Sequence, residues 1–489
     1  MEYLAKPGEK EKFINDTNKK WIKREEVKKR DGSVEVKYDI LPMELANFIK
    51  ANLKYIFVKN AASEQPLTYV YSDGYYKEVS EDEMKGFIKS FIPYQLRHSK
   101  DINEVLFDIK TELKFVEHED LNSCEDLINF EDGLLNIKTW ELIPHSPDVL
   151  STIQIPAKYS EIKGASTDIP VFMKYMNTLC DSDLQTFELL MQCLGLAISN
   201  IYAYRTKKAL FLVGQGNTGK SQLKKLAEYL IGYKNVSNID LKKISDKHGT
   251  SSLYQKRLSG CNDMSYQRIE DMSIFKQLTG GDSIEVNFKF KNSFNFMYKG
   301  FLWFNCNKLP FFGGDTGKWV YERIMPVFCN NVISKEEQDP LLFEKMLKEK
   351  NGILSLALTY LKKLIDNDYK FIEPDNMKEL REKYEVENNT FLSFLEDCCD
   401  YRPDGGIIAS MRLKRSTFKE AYTKYVDINN NGKGKLTTND MNKILKERYN
   451  ETFVKSNGVI YLKDITLSPE AIKELGVWRT TLYKLIYFF

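Results

Sequence analysis

The amino-acid sequence predicts an α/β fold, with an α/β core in the middle of the chain, an α+β region before it and a small helical module after it. The apolar run Ala209–Val213 is followed by a glycine-rich loop and then by a stretch whose apolar residues recur at helical spacing. Further strands are predicted at 236–240, 300–305 and 324–328. The C-terminal part contains three helical patterns and then two short strand patterns.

The glycine-rich loop matches the pattern G-x-x-x-x-G-K-[ST] in its required context between a strand and a helix. Glycines let consecutive N–H groups converge on an anion without Cβ clashes, and the helix N-terminus adds a positive dipole end. We expect Lys220 to reach the β- and γ-phosphates of a nucleoside triphosphate and Ser221 to bind Mg²⁺. The predicted nucleotide-binding residues are Gly214, Gln215, Gly216, Asn217, Thr218, Gly219, Lys220 and Ser221.

The net charge of +2 hides an asymmetry along the chain. Residues 401–489 carry 16 Lys and Arg against 9 Asp and Glu, so the basic excess is C-terminal and suits a polyanionic partner. The sequence has no apolar run of membrane-spanning length, and its charged N-terminus lacks the apolar core of a signal peptide. The eight cysteines lack C-x-x-C spacing, so we expect reduced thiols in a cytoplasmic protein with no membrane partner.

Residues 1–115 are predicted to form an α+β domain. The charged stretch 19–30 favours a solvated helix or a disordered lead-in. Helical patterns follow at 43–57, 81–91 and 102–113, and a hairpin is predicted at 68–77. These strands carry no acidic pair of the kind that would indicate a built-in primase.

Residues 116–200 are predicted to combine a hairpin with helices. The hairpin covers 129–147 with Gly133 at its turn, one helix starts at 168–170, and another covers 183–196. This region is either a packing subdomain or a helical collar that supports oligomerisation.

Within the predicted core, 201–365, residues 256–263 form a strand pattern that ends in Asn262 and Asp263. A P-loop ATPase needs an acid at the end of a neighbouring strand to hold Mg²⁺ through water and to polarise the attacking water. Asp263 is the candidate, and a helix cap is the alternative.

Two more polar residues follow predicted strands of the core. Asn307 comes after the strand at 300–305 and has the amide needed to sense a γ-phosphate; Asn305 points to the same side if the strand continues. Arg323 precedes the strand pattern at 324–328, where an arginine can enter a neighbouring subunit's site and stabilise transition-state charge.

Residues 284–298 alternate strongly and predict a hairpin with a Lys-Asn-Ser tip. Its phenylalanines, Phe290, Phe294 and Phe296 among them, alternate with Lys289 and Lys291, which suits single-stranded nucleic acid because rings stack on bases while ammonium groups meet phosphates. The alternative is that the rings belong to the core and the lysines are merely solvated.

The order of these motifs resembles that of the superfamily 3 helicases, in the branch of phage, plasmid and poxvirus primase-helicases that includes satellite phages and mobile genomic islands. The segment 276–282, Lys-Gln-Leu-Thr-Gly-Gly-Asp, is its most specific part, and the resemblance covers roughly residues 65–365. It implies a hexameric AAA+ ring that hydrolyses ATP with Mg²⁺ and translocates on single-stranded DNA, usually 3′ to 5′.

The resemblance carries over residue by residue. It implies nucleotide and Mg²⁺ binding by Lys220 and Ser221, a sensor role for Asn307 and a trans-acting finger role for Arg323. Lys289 and Lys291 correspond to the pore hairpin. The pair Asn262-Asp263 departs from the acidic pair that is common in the family, which leaves the split between metal holding and water activation open.

The C-terminal part is predicted as a helical linker, 366–390, and a winged helix-turn-helix domain, 391–489. Its three helices at 388–399, 416–427 and 438–449 precede a hairpin around Asn457-Gly458. Such modules bind duplex DNA or dock proteins. The residues predicted to contact DNA are Lys443, Lys446 and Arg448 on the last helix and Lys455 on the wing.

We therefore predict an ATP-dependent hexameric DNA helicase that initiates replication of a mobile element. Its expected partners are single-stranded DNA in the pore, duplex origin DNA, copies of itself and a separate primase. One alternative is a non-translocating AAA+ DNA-binding regulator, and the other is an ATPase scaffold that recruits a primase.

Overall fold

The computed structural model describes residues 20–58, 66–111, 115–246, 248–266, 268–269, 271–287, 293–312, 318–403, 407, 412–430, 434–450 and 453–477. The chain divides into two compact units, each formed from several stretches of sequence. The first unit contains Met1–Ser265, Ser273–Leu309 and Arg323–Pro374, and the second contains Tyr266–Met272, Pro310–Glu322 and Asp375–Phe489. No helix in these described ranges is long and apolar enough to cross a membrane.

The first unit begins with an α+β region. Its elements are β1 (Ile22–Lys28), β2 (Val34–Ile40), α1 (Pro42–Asn52), β3 (Tyr55–Val58), β4 (Leu67–Ser72), β5 (Tyr75–Val79), α2 (Glu81–Lys89), α3 (Ser99–Thr111) and β6 (Phe115–Val116). Four strands form a sheet of order β5-β4-β3-β6, in which the β3–β6 pair is parallel and the other pairs are antiparallel. This confirms the predicted hairpin at 68–77 and the two helices after it.

The charged stretch at 19–30 is neither a helix nor a lead-in, so that prediction is wrong. It contains β1, which pairs antiparallel with β2 so that Lys23 lies opposite Asp39 and Glu25 opposite Lys37. Opposite charges across two strands stabilise a hairpin. Trp21 anchors it, because its buried indole Nε1 donates to the Phe91 carbonyl at 3.2 Å.

The helix predicted at 43–57 is too long. It ends at Asn52, and the next residues, Tyr55–Val58, form the fully buried strand β3. Their aromatic and β-branched side chains fit a buried strand better than a helix.

A three-stranded meander and three helices come next. They are β7 (Leu127–Phe130), β8 (Gly133–Asn136), β9 (Glu141–Ile143), α4 (Tyr159–Lys163), α5 (Pro170–Leu179) and α6 (Leu184–Ile198). Gly133 forms the predicted turn at φ 156°, and a Cβ there would lie 2.7 Å from the Ile143 carbonyl oxygen, so only glycine fits. Asp183 caps α6 by accepting from the N–H groups of Gln185 and Thr186. The predicted hairpin and helices are confirmed.

The core contains the longest parallel sheet. The elements of this stretch are β10 (Ala209–Val213), α7 (Lys220–Ile231), β11 (Val236–Asn238), α8 (Leu241–Ile244), β12 (Leu258–Gly260), β13 (Arg268–Ile269), α9 (Ser273–Gly280), β14 (Ser283–Val286), β15 (Phe294–Met297), β16 (Phe301–Cys306), β17 (Phe311–Phe312), α10 (Lys318–Arg323), β18 (Ile324–Phe328), α11 (Leu342–Lys348) and α12 (Lys350–Asp366). Five strands pair in parallel in the order β11-β12-β16-β10-β18. Their carboxyl ends therefore meet at one edge, next to the glycine-rich loop.

The second unit has its own elements and core. They are the parallel pair β13 and β17, followed by α13 (Asp375–Asn388), α14 (Thr390–Cys398), β19 (Cys399–Tyr401), α15 (Arg415–Asn430), α16 (Thr438–Tyr449), β20 (Phe453–Ser456), β21 (Val459–Leu462), β22 (Ile465–Leu467) and α17 (Pro469–Glu474). Phe391, Phe394, Phe418 and Tyr422 lie in its buried core. The predicted linker helix, three helices and hairpin are all present, and an antiparallel pair of β19 with β22 adds to them.

Candidate functional site

The glycine-rich loop leaves β10 through a position that excludes a side chain. Gly214 has φ 156°, and a Cβ there would lie 2.2 Å from the Cys329 carbonyl oxygen. Gly219 has φ 88° and Asn217 has φ 62°, both in the left-handed region. These conformations curl residues 214–219 around the N-terminus of α7, which begins at Lys220.

Lys220 folds back into this loop. Its Nζ donates to the carbonyls of Gly214 and Gln215, both at 2.7 Å, and to Thr218 Oγ1 at 3.0 Å. Burial lowers the pKa of the Lys220 ammonium from its usual value. Within the described chain, the backbone N–H groups of residues 216–219 donate to no protein acceptor. Backbone N–H groups without a protein acceptor, at the start of a helix and next to a cation, fit a phosphate group.

The loop forms the floor of an open cleft of about 1430 Å³. The cleft brings together eight of the sequence-predicted site residues: Gly216, Asn217, Thr218, Gly219, Lys220, Ser221, Asp263 and Asn307. The opposite wall comes from α5 and from the segment 331–345. The volume of the cleft exceeds the ~300–1,000 Å³ that is usual for a small-molecule pocket.

Asp263 lies at the sheet edge just beyond β12. The strand ends at Gly260, earlier than predicted, but the chain stays attached to β16 because the Met264 N–H donates to the Asn305 carbonyl at 2.8 Å. Asp263 is exposed in the cleft. The helix-cap alternative is wrong, since the next helix, α9, begins only at Ser273.

The two asparagines of β16 differ in their surroundings. Asn307 follows the strand and is exposed at the cleft. Asn305 is fully buried, and its Nδ2 donates to the Lys220 carbonyl at 3.1 Å and to Asn262 Oδ1 at 3.3 Å. Asn305 therefore joins β16 to the first turn of α7 and to the residue before Asp263.

Sequence reasoning missed a buried ion pair on α7. Lys224 Nζ donates to Glu228 Oε1 at 2.5 Å, and both side chains are almost completely buried. The Asn262 Nδ2 donates to the same carboxylate oxygen at 3.3 Å. The spacing i, i+4 is also typical of solvated helix pairs, so the sequence carries no signal that this pair is internal.

Tyr175 on α5 was also missed. Its hydroxyl donates to the Gly219 carbonyl at 2.9 Å, and burial raises its pKa well above the usual value. The ring lies 3.1 Å from where a Cβ on Gly219 would stand. The region predicted as a packing subdomain or a collar therefore contacts the glycine-rich loop directly.

Arg323 lies outside the lining of its own chain's cleft. It ends α10, and its Nη1 donates to Thr279 Oγ1 at 2.8 Å and to the Lys276 carbonyl at 3.3 Å. These two bonds hold the Arg323 guanidinium against α9, at residues that belong to the segment 276–282.

The aromatic-basic hairpin exists, with β14 and β15 antiparallel and Val286 opposite Phe294. Its tip, with Lys289, Phe290 and Lys291, lies outside the described residues. Phe294 and Phe296 are buried, and Phe294 stacks on His118 with centroids 4.4 Å apart. The core alternative is therefore correct for these two rings.

The predicted duplex-contacting residues lie on the surface of the second unit. Lys443, Lys446 and Arg448 are exposed on α16, and Lys455 is exposed on β20. Arg448 lies 3.7 Å from Glu385, which offsets part of its charge.

Comparisons with known proteins match two parts of the chain. Residues 6–187 match the family described as D5 N terminal like, and residues 212–323 match a family of unknown function, DUF5906. A comparison with curated proteins gave no match.

Among solved structures, the chain is similar to the A form apo structure of the NrS-1 C-terminal region, residues 305–718. The two are 13% identical, the match covers 87% of this chain and 100% of that one, and the TM-score is 0.50. Another apo structure of the same region is 14% identical, with coverage of 87% and 99% and a TM-score of 0.47. The first likeness shows a shared fold.

Proposed function

We propose that this protein is an ATP-dependent DNA helicase that initiates replication of a mobile element. The observation that carries the proposal is the cleft in which Lys220, Ser221, Asp263 and Asn307 converge from neighbouring parallel strands. The D5 N terminal like region and the fold shared with the NrS-1 C-terminal region support a place among phage-type, replication-related primase-helicases.

In this proposal the cleft binds ATP and Mg²⁺. The N–H groups of residues 216–219 and the Lys220 ammonium receive the phosphates, while Ser221 and Asp263 hold the metal. When bound, Mg²⁺ would neutralise charge on the transferred phosphoryl group. Asp263 polarises the attacking water, and the Asn307 amide orients it next to the γ-phosphate.

The position of Arg323 supports a ring of several copies. Arg323 lies outside the described lining of its own chain's cleft and donates to Thr279 and to the Lys276 carbonyl, and we infer that it serves the cleft of the next subunit in a head-to-tail assembly. We infer a homo-hexamer of AAA+ type, with single-stranded DNA in its pore in contact with Lys289, Phe290 and Lys291.

The second unit supports a separate duplex-binding role. Helices α14, α15 and α16 precede the β20–β21 hairpin, an order that suits a winged helix-turn-helix. We infer that α16 enters the major groove of origin DNA and that Lys455 contacts the backbone.

Unwinding of a forked duplex with ATP tests the proposal. The unaltered protein should separate the strands, and Lys220→Ala should abolish both ATPase activity and unwinding while duplex binding by the second unit persists. ATP hydrolysis without unwinding would instead favour the regulator, and ATPase activity that single-stranded DNA does not stimulate would favour the scaffold.

The double substitution Lys289→Ala/Lys291→Ala should remove stimulation of the ATPase by single-stranded DNA and keep basal turnover, because these ammonium groups meet phosphates only when DNA is bound. ATPase titrations with oligonucleotide measure this. Lys362→Ala/Lys370→Ala, which removes two exposed lysines elsewhere in the first unit, is the matched control and should behave as the parent does.

A further inference from the structure

The buried pair of Lys224 and Glu228 connects α7 to the ends of two strands. Besides Glu228, the Lys224 ammonium donates to Asn238 Oδ1 at 3.3 Å, at the end of β11, and to the Gly260 carbonyl at 3.4 Å, at the end of β12. An ammonium has three donors, and all three have partners here. The pair carries no net charge, and the hydrogen bonds of the ammonium fix its position relative to α7, β11 and β12.

Stability alone does not explain a buried ion pair. Desolvation of two charges usually costs about as much as their attraction returns, and well-packed apolar residues often serve equally well. A buried ion pair on the helix that follows the glycine-rich loop is therefore better explained by a role in holding neighbouring side chains in place.

The geometry it fixes is that of Asn262. The amide of Asn262 donates through Nδ2 to Glu228 and accepts through Oδ1 from Asn305. Asn262 is thereby held from α7 on one side and from β16 on the other. The next residue, Asp263, is the carboxylate that follows β12 at the cleft, whose described lining also includes Glu337 and Asp339 on the opposite wall.

We propose that Glu228 is a positioning residue for the nucleotide site, acting through Asn262 on Asp263. This inference rests on the proposed ATPase function and deepens it. After β12 the sequence has Asn262 before Asp263, and therefore no second acid. Glu228 provides a buried carboxylate from α7, and this carboxylate orients Asn262. Glu228 does not line the cleft, so it contacts neither nucleotide nor attacking water.

Two charge-neutral double variants isolate the carboxylate's hydrogen bond. Lys224→Met/Glu228→Gln keeps an oxygen that accepts from Asn262, whereas Lys224→Met/Glu228→Met has nearly the same shape and no acceptor. Neither variant leaves a buried unpaired charge, so both are expected to fold. Thermal unfolding checks this, and kcat and the nucleotide Kd are measured well below the melting temperature.

The Gln variant should keep kcat within about threefold of the parent, while the Met variant should lose about tenfold in kcat with Kd for nucleotide nearly unchanged, as the loss of one positioning hydrogen bond implies. Adding Asn262→Ala should lower kcat in the parent and have little further effect in the Met variant, because both changes break the same connection.

Equal kcat in the Gln and Met variants, or a full additional loss from Asn262→Ala in the Met variant, would overturn the inference while leaving the ATPase intact. Absence of turnover in the unaltered protein would overturn the proposed function, and this inference with it.

Discussion

Gly214 is the glycine of the glycine-rich loop that has the least room for a side chain. A Cβ at this position would meet the Cys329 carbonyl oxygen at 2.2 Å, whereas Gly216, two residues later, has nothing within 4 Å. The motif requires glycine at both ends of the loop. At the first of these two positions, Gly214, the physical reason is the close contact with Cys329, which follows β18.

Gly214→Ala should destabilise the protein by about 1–3 kcal/mol, because the backbone at 329 must move to admit the methyl group. Chemical denaturation measures the free energy of unfolding. Gly216→Ala is the matched control and should have little effect on it. Equal stability of the two variants would contradict the packing of the loop against residue 329.

Lys299 provides a pH-dependent test at the same scale. Its Nζ donates to the carbonyls of Glu119 and Leu121, and burial lowers its pKa from 10.5 to about 8. The unfolded state therefore binds more protons between these two values, so stability rises with pH across that window, and the cost of the buried charge is fully present below about pH 8.

Lys299→Met removes this titration. The stability of the variant relative to the parent should fall as the pH is raised from about 7 to about 10, since only the parent is relieved of a buried charge. Denaturation at both pH values measures it, with the exposed Lys362→Met as control. Parallel pH profiles of Lys299→Met and the parent would show that Lys299 is not desolvated.

Sequence reasoning found the residues of the site whose spacing along the chain is diagnostic. Lys220, Ser221, Asp263 and Asn307 lie in one cleft because each follows a strand of the same sheet. Tyr175 and Glu228 were not found, because their roles depend on contacts across the fold that no local spacing records.

At the scale of elements, α16 presents Lys443 and Lys446 three residues apart on one exposed face. This helix was predicted to its exact bounds, and it lies directly before the hairpin of β20 and β21. In the proposed duplex-binding role, α16 is the element whose charge should govern binding.

Lys443→Glu/Lys446→Glu should weaken duplex binding and reduce the steepness of its salt dependence by about two phosphate contacts. Fluorescence anisotropy across salt concentrations measures both. Lys378→Glu/Lys473→Glu makes the same charge change at other exposed sites of the second unit and should alter the salt dependence less. The same loss in both double variants would indicate a general charge effect and no recognition helix.

Two elements were predicted wrongly, and each shows which interactions determine whether a segment forms a helix or a strand. The helix pattern at 43–57 runs on into Tyr55–Val58, where burial between β4 and β6 selects a strand. The charged hairpin of β1 and β2 is fixed by cross-strand pairing and by Trp21. The bond from Trp21 to Phe91 and the pairing of β3 with β6 join residues distant in sequence, as does the pairing of β19 with β22.

At the scale of the whole molecule, the parallel sheet places the glycine-rich loop, Asp263 and Asn307 at one cleft. Arg323 ends α10, donates to Thr279 of α9 and lies outside the described lining of that cleft. For the proposed ATP site, an arginine outside the lining of the cleft is the arrangement expected when a neighbouring copy supplies that group. The central claim is that ATP is hydrolysed between copies of this chain.

Mixing two inactive variants tests this claim most directly. Lys220→Ala removes phosphate binding, and Arg323→Ala removes transition-state stabilisation, which can cost about 10³–10⁵ in rate. In a one-to-one mixture, about a quarter of the contacts between copies pair an intact Lys220 with an intact Arg323 in a head-to-tail assembly. The mixture should regain up to that share of the parent's turnover, whereas turnover no higher than that of the separate variants would contradict a shared site.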